Sequence, residues 1–197
     1  MKNTSILIVG VGGQGVIRSS MILGTAGDDA GLQVRMGQLH GMSQRGGSVE
    51  STVLLGAHRT SFLPERGADI ILALEPLELL RTISNVHDKT RVIVSTGTIT
   101  PTLIATTSNV YPDRQAILDK VAARCAAVVR FDGPEALANA NCPLRSLNSL
   151  ALGILAAQNW LPFDAEQLEM ALEKHSFGPH GENNQRAFQT GRSTVLS

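Results

Sequence analysis

The sequence predicts an α/β fold of three layers, a Rossmann-like, mostly parallel β-sheet with helices on both faces and a helical C-terminal part. A continuous apolar run at residues 6–9 ends at a glycine and precedes a helical stretch, the order of a strand–turn–helix unit. Further apolar runs at 69–74 and 91–95 are separated by helical patterns, which favours a parallel sheet. The 197 residues suit a single domain, 1–197, that can bury a core without disulfides.

The first forty residues predict a βαβ unit. The run at 6–9 is its first strand, residues 14–29 form its helix, and 32–36 form a second strand. Residues 37–47 are polar and glycine-rich, without helical or strand periodicity, and are predicted as a loop. Loops of this length inside a compact domain are often functional.

The α/β alternation continues through the middle of the chain. Strands are predicted at 48–55, 69–74, 91–95 and 127–132. Pro76 suits the first turn of a helix, and Asp113 can cap a second helix with Ile117 and Val121 on one face. The threonine-rich residues 96–107 are predicted as a loop, and Gly133-Pro134 as a turn.

Two helices are predicted near the C-terminus. Residues 146–158 place apolar side chains at i, i+3, i+4, i+7 and i+8, the pattern of one buried stripe. A second helix begins after Asp164, which forms a capping-box pattern with Gln167, and ends near residue 174. The tail at 176–191 has few apolar residues, so we expect it to need a partner surface or a ligand to become ordered.

Composition disfavours several classes of function. Lys+Arg and Asp+Glu are both 17 and only 4% of residues are aromatic, so the chain has neither the positive field nor the stacking surface of a nucleic-acid-binding protein. The four-residue apolar run near the start is too short for a secretion signal or a membrane span. We therefore expect a cytoplasmic protein that binds neither nucleic acid nor membrane.

The sequence does not predict a metal site. Cys125 and Cys142 lack the spacing of zinc or iron–sulfur ligands; Cys125 is predicted as a buried helix-face residue, and Cys142 is unassigned. His175, His180 and Glu182 match no metal motif and are interpreted as part of a tail that docks on the core or on another subunit.

The segment Gly10-Val-Gly-Gly-Gln-Gly15 has the spacing of a dinucleotide fingerprint between a strand and a helix. The acidic residue that would bind a ribose is missing at 35–38, which argues against NAD, and Arg35 alone is weak support for NADP. No Gly-Lys-Ser/Thr follows, which argues against a nucleoside triphosphatase. Two interpretations therefore remain. The glycines allow an anion or the backbone of a partner to come close, or they are needed only for the tight turn and for the contact between helix and strand.

A second glycine segment, His40-Gly-Met-Ser-Gln-Arg-Gly-Gly-Ser48, enters the strand at 48–55. With the first segment and with Asn184-Gln-Arg-Ala-Phe-Gln-Thr-Gly191, the chain resembles, over nearly its whole length, the gamma-type domain of 2-oxoacid:ferredoxin oxidoreductases. The beta subunits of indolepyruvate:ferredoxin oxidoreductases are the most similar group within it.

The resemblance implies an oxidoreductase subunit that supports the oxidative decarboxylation of arylpyruvates to acyl-CoA, with coenzyme A as co-substrate and ferredoxin as electron acceptor. It implies that thiamine diphosphate and iron–sulfur clusters belong to a large alpha subunit, so the isolated chain is expected to be inactive. Subunits for pyruvate or other 2-oxoacids, or a stand-alone Rossmann-type nucleotide-binding module, remain alternatives.

The candidate site residues are ligand-binding or interface-binding, and none is a convincing catalytic acid, base or nucleophile. Arg45 offers a fork of donors to phosphate or carboxylate, or pairs structurally, and His40 either titrates or anchors its loop. The full set is Gly12, Gly13, Gln14, Gly15, His40, Gln44, Arg45, Gly46, Gly47 and Ser48.

Overall fold

A computed structural model of the protein describes residues 3–40, 46–97, 111–176 and 178–194, with the backbone alone for His40 and Pro179. In this part of the chain a six-stranded β-sheet is covered by helices on both faces. The predicted three-layer α/β fold is therefore confirmed. The predicted loop at 96–107 lies largely outside the described residues.

The sheet has the order β2-β3-β1-β4-β5-β6. Its strands are β1 (Thr4–Val11), β2 (Val34–His40), β3 (Ser48–Leu55), β4 (Ile70–Ala73), β5 (Arg91–Ser95) and β6 (Ala127–Phe131). Strands β1, β4, β5 and β6 pair in parallel, whereas β3 is antiparallel to both of its neighbours, β1 and β2. The first βαβ unit therefore does not place β2 beside β1, because β3 lies between them.

Seven α-helices are present in the described residues. They are α1 (Val16–Asp29), α2 (Pro76–Arg81), α3 (Arg114–Ala122), α4 (Gly133–Asn139), α5 (Leu147–Ala157), α6 (Ala165–Lys174) and α7 (Gly181–Ser193). The capping box predicted for Asp164 and Gln167 is present at the start of α6. Asp113 caps α3 by accepting a hydrogen bond from the backbone N–H of Gln115 at 3.0 Å.

The alternating side chains of β1 divide the core into two layers. Ile6 and Ile8 pack with apolar side chains of α1, α4, α5, α6 and α7. Leu7 and Val9 face the other side and pack with α2 and α3. Strands covered on both faces show continuous apolar runs, which is why β1 and β4 were recognisable in the sequence.

The predicted loop at 37–47 is wrong in its first part, because Gly37 to His40 belong to β2. Pairing with β3 overrides the glycine and polar composition of this segment. A Cβ atom on Gly37 would lie 2.4 Å from the carbonyl oxygen of Ser61. The glycine therefore allows another backbone segment to approach the strand closely.

The predicted turn at Gly133-Pro134 is also wrong, because these residues open α4. Asp132 is the N-cap, and its carboxylate accepts a hydrogen bond from the backbone N–H of Glu135 at 2.9 Å. Proline is tolerated in this first turn because its missing N–H would have no partner inside the helix.

Two other expectations fail. The C-terminal tail needs no external partner to form a helix, because Ala187 and Phe188 of α7 are fully buried in the same core as α5. Cys125 is not a helix-face residue: α3 ends at Ala122, and the half-buried Cys125 lies in the connection to β6. Cys142 is buried.

Candidate functional site

The two glycine segments meet at the carboxyl end of β1. Antiparallel pairing of β1 with β3 places Val11 opposite Ser48, and the backbone N–H of Gly12 donates to the carbonyl oxygen of Gly47 at 2.9 Å. From β1 the sheet extends to β3 and β2 on one side and to β4, β5 and β6 on the other. The chain crosses through α1 to the first side and later returns to the second, so β1 lies at a switch point. Such switch points form crevices that bind ligands in α/β proteins.

The turn after β1 depends on left-handed backbone. Gly13 has φ of 105° and Gly15 has φ of 86°. Gly15 is the N-cap of α1, and a Cβ atom there would also lie 2.8 Å from the side chain of Asn148 on α5. A Cβ atom on Gly13 would meet nothing within 4 Å. Conformation alone requires glycine at Gly13, whereas both conformation and packing require it at Gly15.

Gln14, predicted as a ligand- or interface-binding residue, is directed into the protein, and its amide bonds to backbone groups. Its Oε1 accepts a hydrogen bond from the backbone N–H of Val11 at 2.6 Å, and its Nε2 donates to the carbonyl oxygen of Leu74 at 2.9 Å. The side chain is only 8% exposed. Gln14 therefore ties the glycine turn to the end of β4.

The N-terminus of α1 is open to an incoming anion. No side chain caps this 14-residue helix, and its first turn contains no acidic residue. Arg18 is exposed in that first turn. A cavity of about 280 Å³ lies here, lined in part by Gly12, Gly13, Gly15 and Arg18. Backbone N–H groups at a helix N-terminus, with the positive end of the helix dipole, favour phosphate or carboxylate.

An acidic group next to this turn was not anticipated from the sequence. Glu75, which follows β4, is fully buried; it caps α2 through the backbone N–H of Glu78 at 3.0 Å and accepts a hydrogen bond from the hydroxyl of Tyr111. Glu78 is buried as well, and one of its carboxylate oxygens pairs with Arg81 at 3.1 Å. A glutamate before Pro76 was the sequence signal for the cap, but only the fold brings Tyr111 to it.

Burial changes the acid–base properties of this group. Burial raises the pKa of Glu50, with a smaller contribution from the negative charge of Glu78. Burial also raises the pKa of Glu75, opposed by the hydrogen bond from Tyr111. The pKa of Tyr111 is raised well above its ordinary value by burial and then by its hydrogen bond to Glu75. These groups favour their protonated forms more than exposed groups would.

The structure thus unites part of the predicted site. Gly12, Gly13, Gly15, Gly46, Gly47 and Ser48 lie on the two segments that meet at β1 and β3. The side chain of His40, together with Gln44 and Arg45, lies outside the described residues, and their predicted roles stay predictions.

The predicted polar tail cluster is divided between two elements. The imidazole Nε2 of His175, just after α6, lies 2.8 Å from the hydroxyl of Thr25 on α1. His180 and Glu182 lie at the start of α7. Over the described ranges, no three His, Cys, Asp or Glu side chains are grouped as a metal site would require. No helix in those ranges is long and apolar enough to span a membrane.

The family described as pyruvate ferredoxin/flavodoxin oxidoreductase matches residues 5–194 of the chain. The indolepyruvate oxidoreductase subunit IorB of Methanothermobacter thermautotrophicus is 34% identical over 189 residues, which are 96% of this chain and 96% of the relative. The subunit of the same name from Archaeoglobus fulgidus is 34% identical over 193 residues, covering 98% of this chain and 96% of the relative.

Solved structures share the fold at lower identity. The gamma subunit of a keto/oxoacid ferredoxin oxidoreductase from Geobacter sulfurreducens has a TM-score of 0.68 at 21% identity, with 95% of each chain covered. The pyruvate oxidoreductase subunit PORC of Thermotoga maritima has a TM-score of 0.69 at 18% identity, covering 97% of this chain and 96% of that one. The 2-oxoglutarate:ferredoxin oxidoreductase of Magnetococcus marinus has a TM-score of 0.72 at 17% identity, covering 98% of this chain but 31% of that one.

Proposed function

The chain belongs to the pyruvate ferredoxin/flavodoxin oxidoreductase family, and we propose that it is the small subunit of a heteromeric indolepyruvate ferredoxin oxidoreductase. With a large alpha subunit, in the cytoplasm, it supports the oxidative decarboxylation of arylpyruvates with coenzyme A. The products are an acyl-CoA, carbon dioxide and reduced ferredoxin.

One observation carries the choice of substrate. The curated relatives at 32–34% identity, from four organisms, are each named as the indolepyruvate oxidoreductase subunit, and each aligns with nearly its full length. The solved enzymes named for pyruvate and 2-oxoglutarate are only 17–18% identical, a level that supports the fold alone. Indolepyruvate is therefore favoured over the other 2-oxoacids.

We place the thiamine diphosphate and the iron–sulfur clusters in the alpha subunit. The side chains of this chain do not suit a cluster, because a cluster needs several thiolates and the two cysteines here, Cys125 and Cys142, belong to different connections. Cys142 is buried, and its thiol lies 3.5 Å from the carbonyl oxygens of Ala140 and Asn183. This chain contributes a surface to the assembly rather than a redox centre.

That surface is the pair of glycine segments. The exposed N-terminus of α1 and the guanidinium of Arg18 suit a phosphate group of coenzyme A. Gly12 and Gly47 are held together by their backbone hydrogen bond, so the segments form one wall. Its role is to bind and orient coenzyme A beside the alpha subunit. Gly46 and Ser48 belong to the same wall, and we infer that Gln44, Arg45 and His40 contribute to binding the same ligand.

The test is reconstitution. The chain is coexpressed with the large alpha subunit of an indolepyruvate ferredoxin oxidoreductase, and the purified complex is assayed with indolepyruvate and coenzyme A by the reduction of methyl viologen. We expect a stable complex with activity that neither chain has alone, and a higher kcat/KM for indolepyruvate than for pyruvate or 2-oxoglutarate. Failure to form a complex, or a preference for pyruvate, contradicts the proposal.

The coenzyme A wall is tested in the same complex. Arg18→Gln should raise the KM for coenzyme A about tenfold or more, because a charge-assisted hydrogen bond to phosphate is lost, and should leave the KM for indolepyruvate unchanged. The matched control is Arg124→Gln, an exposed arginine beyond the end of α3. An unchanged KM for coenzyme A in an active Arg18→Gln complex contradicts the wall and leaves the subunit assignment standing.

A further inference from the structure

A second cavity lies at the amino ends of the parallel strands, whereas the glycine segments lie at the carboxyl end of β1. Its volume is about 520 Å³. The first residues of β1, β4 and β5 form one side, and the connection between α5 and α6 forms the other. Its lining includes Asp69, Asp88, Lys89, Arg91, Trp160 and Leu161. The proposed function does not use this cavity.

Arg91 is held over an aromatic ring in this cavity. The guanidinium carbon lies 5.6 Å from the centroid of the Trp160 ring, within the range of a cation–π interaction. No carboxylate among the described residues forms an ion pair with Arg91 or with Lys89. Arg91 is half-buried, and its guanidinium lies over Trp160 without a carboxylate partner among the described residues, so it is suited to bind a carboxylate from a ligand.

The remaining walls define the rest of the ligand. The largely apolar side chains of Trp160, Leu161 and Pro162 form one wall of the cavity. Asp69 is fixed by the backbone N–H of Ser5, which donates to its carboxylate at 2.8 Å. Asp88, also in the lining, lies 3.9 Å from the guanidinium of Arg66. The negative charges of Asp69 and Asp88 disfavour a polyanion such as a nucleoside triphosphate. The walls therefore suit a molecule with one carboxylate and an apolar ring.

We propose that this cavity is a binding site for a small aromatic carboxylate. Its carboxylate pairs with Arg91 and Lys89, and its ring packs against Trp160, Leu161 and Pro162. The site is separate from the coenzyme A wall, since the two lie at opposite edges of the sheet. It does not depend on the proposed function.

The test uses the intrinsic fluorescence of the full chain, because Trp160 is its only tryptophan. The probe is 3-phenylpropionate, which does not absorb at the excitation wavelength for tryptophan. We expect a saturable change in emission as the probe is added, and no saturable change with 3-phenylpropanol, which has the ring without the charge. A response to both compounds, or to neither, overturns the proposal.

Variants assign the carboxylate contact. Arg91→Gln should raise the Kd for 3-phenylpropionate about tenfold or more, and Lys89→Gln, a surface change, should raise it about threefold. Arg124→Gln, outside the cavity, is the matched control and should leave the Kd unchanged. If Arg91→Gln fails to fold, Lys89→Gln alone decides the question.

An unchanged Kd in both cavity variants overturns the site. A further contrary outcome is that Arg91→Gln lowers the thermal midpoint while the wild-type chain shows no binding. In that case Arg91 and Trp160 serve only to hold the connection between α5 and α6 on the sheet.

Discussion

Glycine has different uses in the contact between α5 and α7 and in the turn after β1. A Cβ atom on Gly153 would lie 2.0 Å from the carbonyl oxygen of Phe188, and one on Gly191 would lie 2.2 Å from that of Leu150. A Cβ atom on Gly13 would meet nothing within 4 Å, yet its φ is 105°. The helix pair requires the absence of a side chain, whereas the turn requires an unusual backbone conformation.

The difference separates a closed region from an open one. In the helix pair, the backbone of the facing helix occupies the space beside each glycine. Phe188, whose carbonyl oxygen faces Gly153, is fully buried. At the turn, the space beside Gly13 is empty, and the neighbouring N-terminus of α1 has no side-chain cap. The sequence shows glycine in both regions and does not distinguish the two uses. Substitution of glycine by alanine should nevertheless have different effects in the two regions.

The largest effect is expected for Gly153→Ala. The added methyl group must displace the backbone of α7, which costs about 3 kcal/mol or more, and the gain of about 1 kcal/mol in helix propensity does not offset it. Urea unfolding should show the loss as a lower midpoint with an unchanged slope.

The control is Gly24→Ala in α1. Its Cβ atom would meet the flexible thioether of Met36, with the sulfur at 2.7 Å, and Met36 is 45% exposed. This side chain can move into solvent, so the stability should change by less than about 1 kcal/mol. Equal losses of stability in the two variants would show that the contact between α5 and α7 can relax, contrary to what the distances indicate.

An intermediate effect is expected within the turn itself. Gly13→Ala should cost about 1 kcal/mol, from backbone strain alone. Gly15→Ala should cost about 2 kcal/mol or more, because strain is joined by overlap with Asn148 at 2.8 Å. A double-mutant cycle with Asn148→Ala, followed by urea unfolding, separates the two terms.

In that cycle, Asn148→Ala should recover part of the loss in Gly15→Ala and none of the loss in Gly13→Ala. Recovery in both backgrounds, or in neither, would mean that the turn relaxes as a whole. The left-handed backbone and the contact with α5 would then not be independent requirements.

The smallest effect is expected for Glu50 on β3, which is influenced by the negative charge of Glu78. Because the pKa of Glu50 is raised in the folded protein, its contribution to stability is fully present below its unfolded pKa and is lost as the pH rises through the folded value. Glu50→Gln removes this loss. The thermal midpoint of the variant should exceed that of the wild type by on the order of 1 to 3 °C at pH 8, and the difference should shrink toward pH 4.

The matched control is Glu65→Gln, an exposed glutamate in the connection between β3 and β4. Its midpoint should follow that of the wild type across the same pH range. If the midpoint of Glu50→Gln instead lies below that of the wild type at pH 8, the carboxyl is stabilised as an anion, and burial beside Glu78 is not its dominant influence.

Several elements could be predicted because their signals are local. Strands β3 and β5 have the predicted bounds, and α6 begins at the predicted capping box. Alternating or continuous apolar residues, and a cap followed three residues later by its reciprocal partner, depend only on neighbours in the chain. The second strand was misplaced because its extension to His40 depends on pairing with β3.

The candidate site was predicted in part for the same reason. The glycine turn has a local pattern, so Gly12, Gly13 and Gly15 were found from the sequence. The structural role of Gln14 depends on the carbonyl oxygen of Leu74, 60 residues away, and the acidic group depends on Tyr111 reaching Glu75. Contacts between distant residues leave no periodic pattern for the sequence to show.

The sequence by itself determined the layered α/β class, the strand–glycine turn–helix at the start, and the resemblance in the two glycine segments. Only the tertiary structure decided that β3 lies between β1 and β2, that Gly12 is bonded to Gly47, and that α7 is buried against α5. The physical reason is that backbone propensity and burial patterns act over a few residues. Strand order and helix packing are selected by the free energy of contacts between segments far apart in the chain.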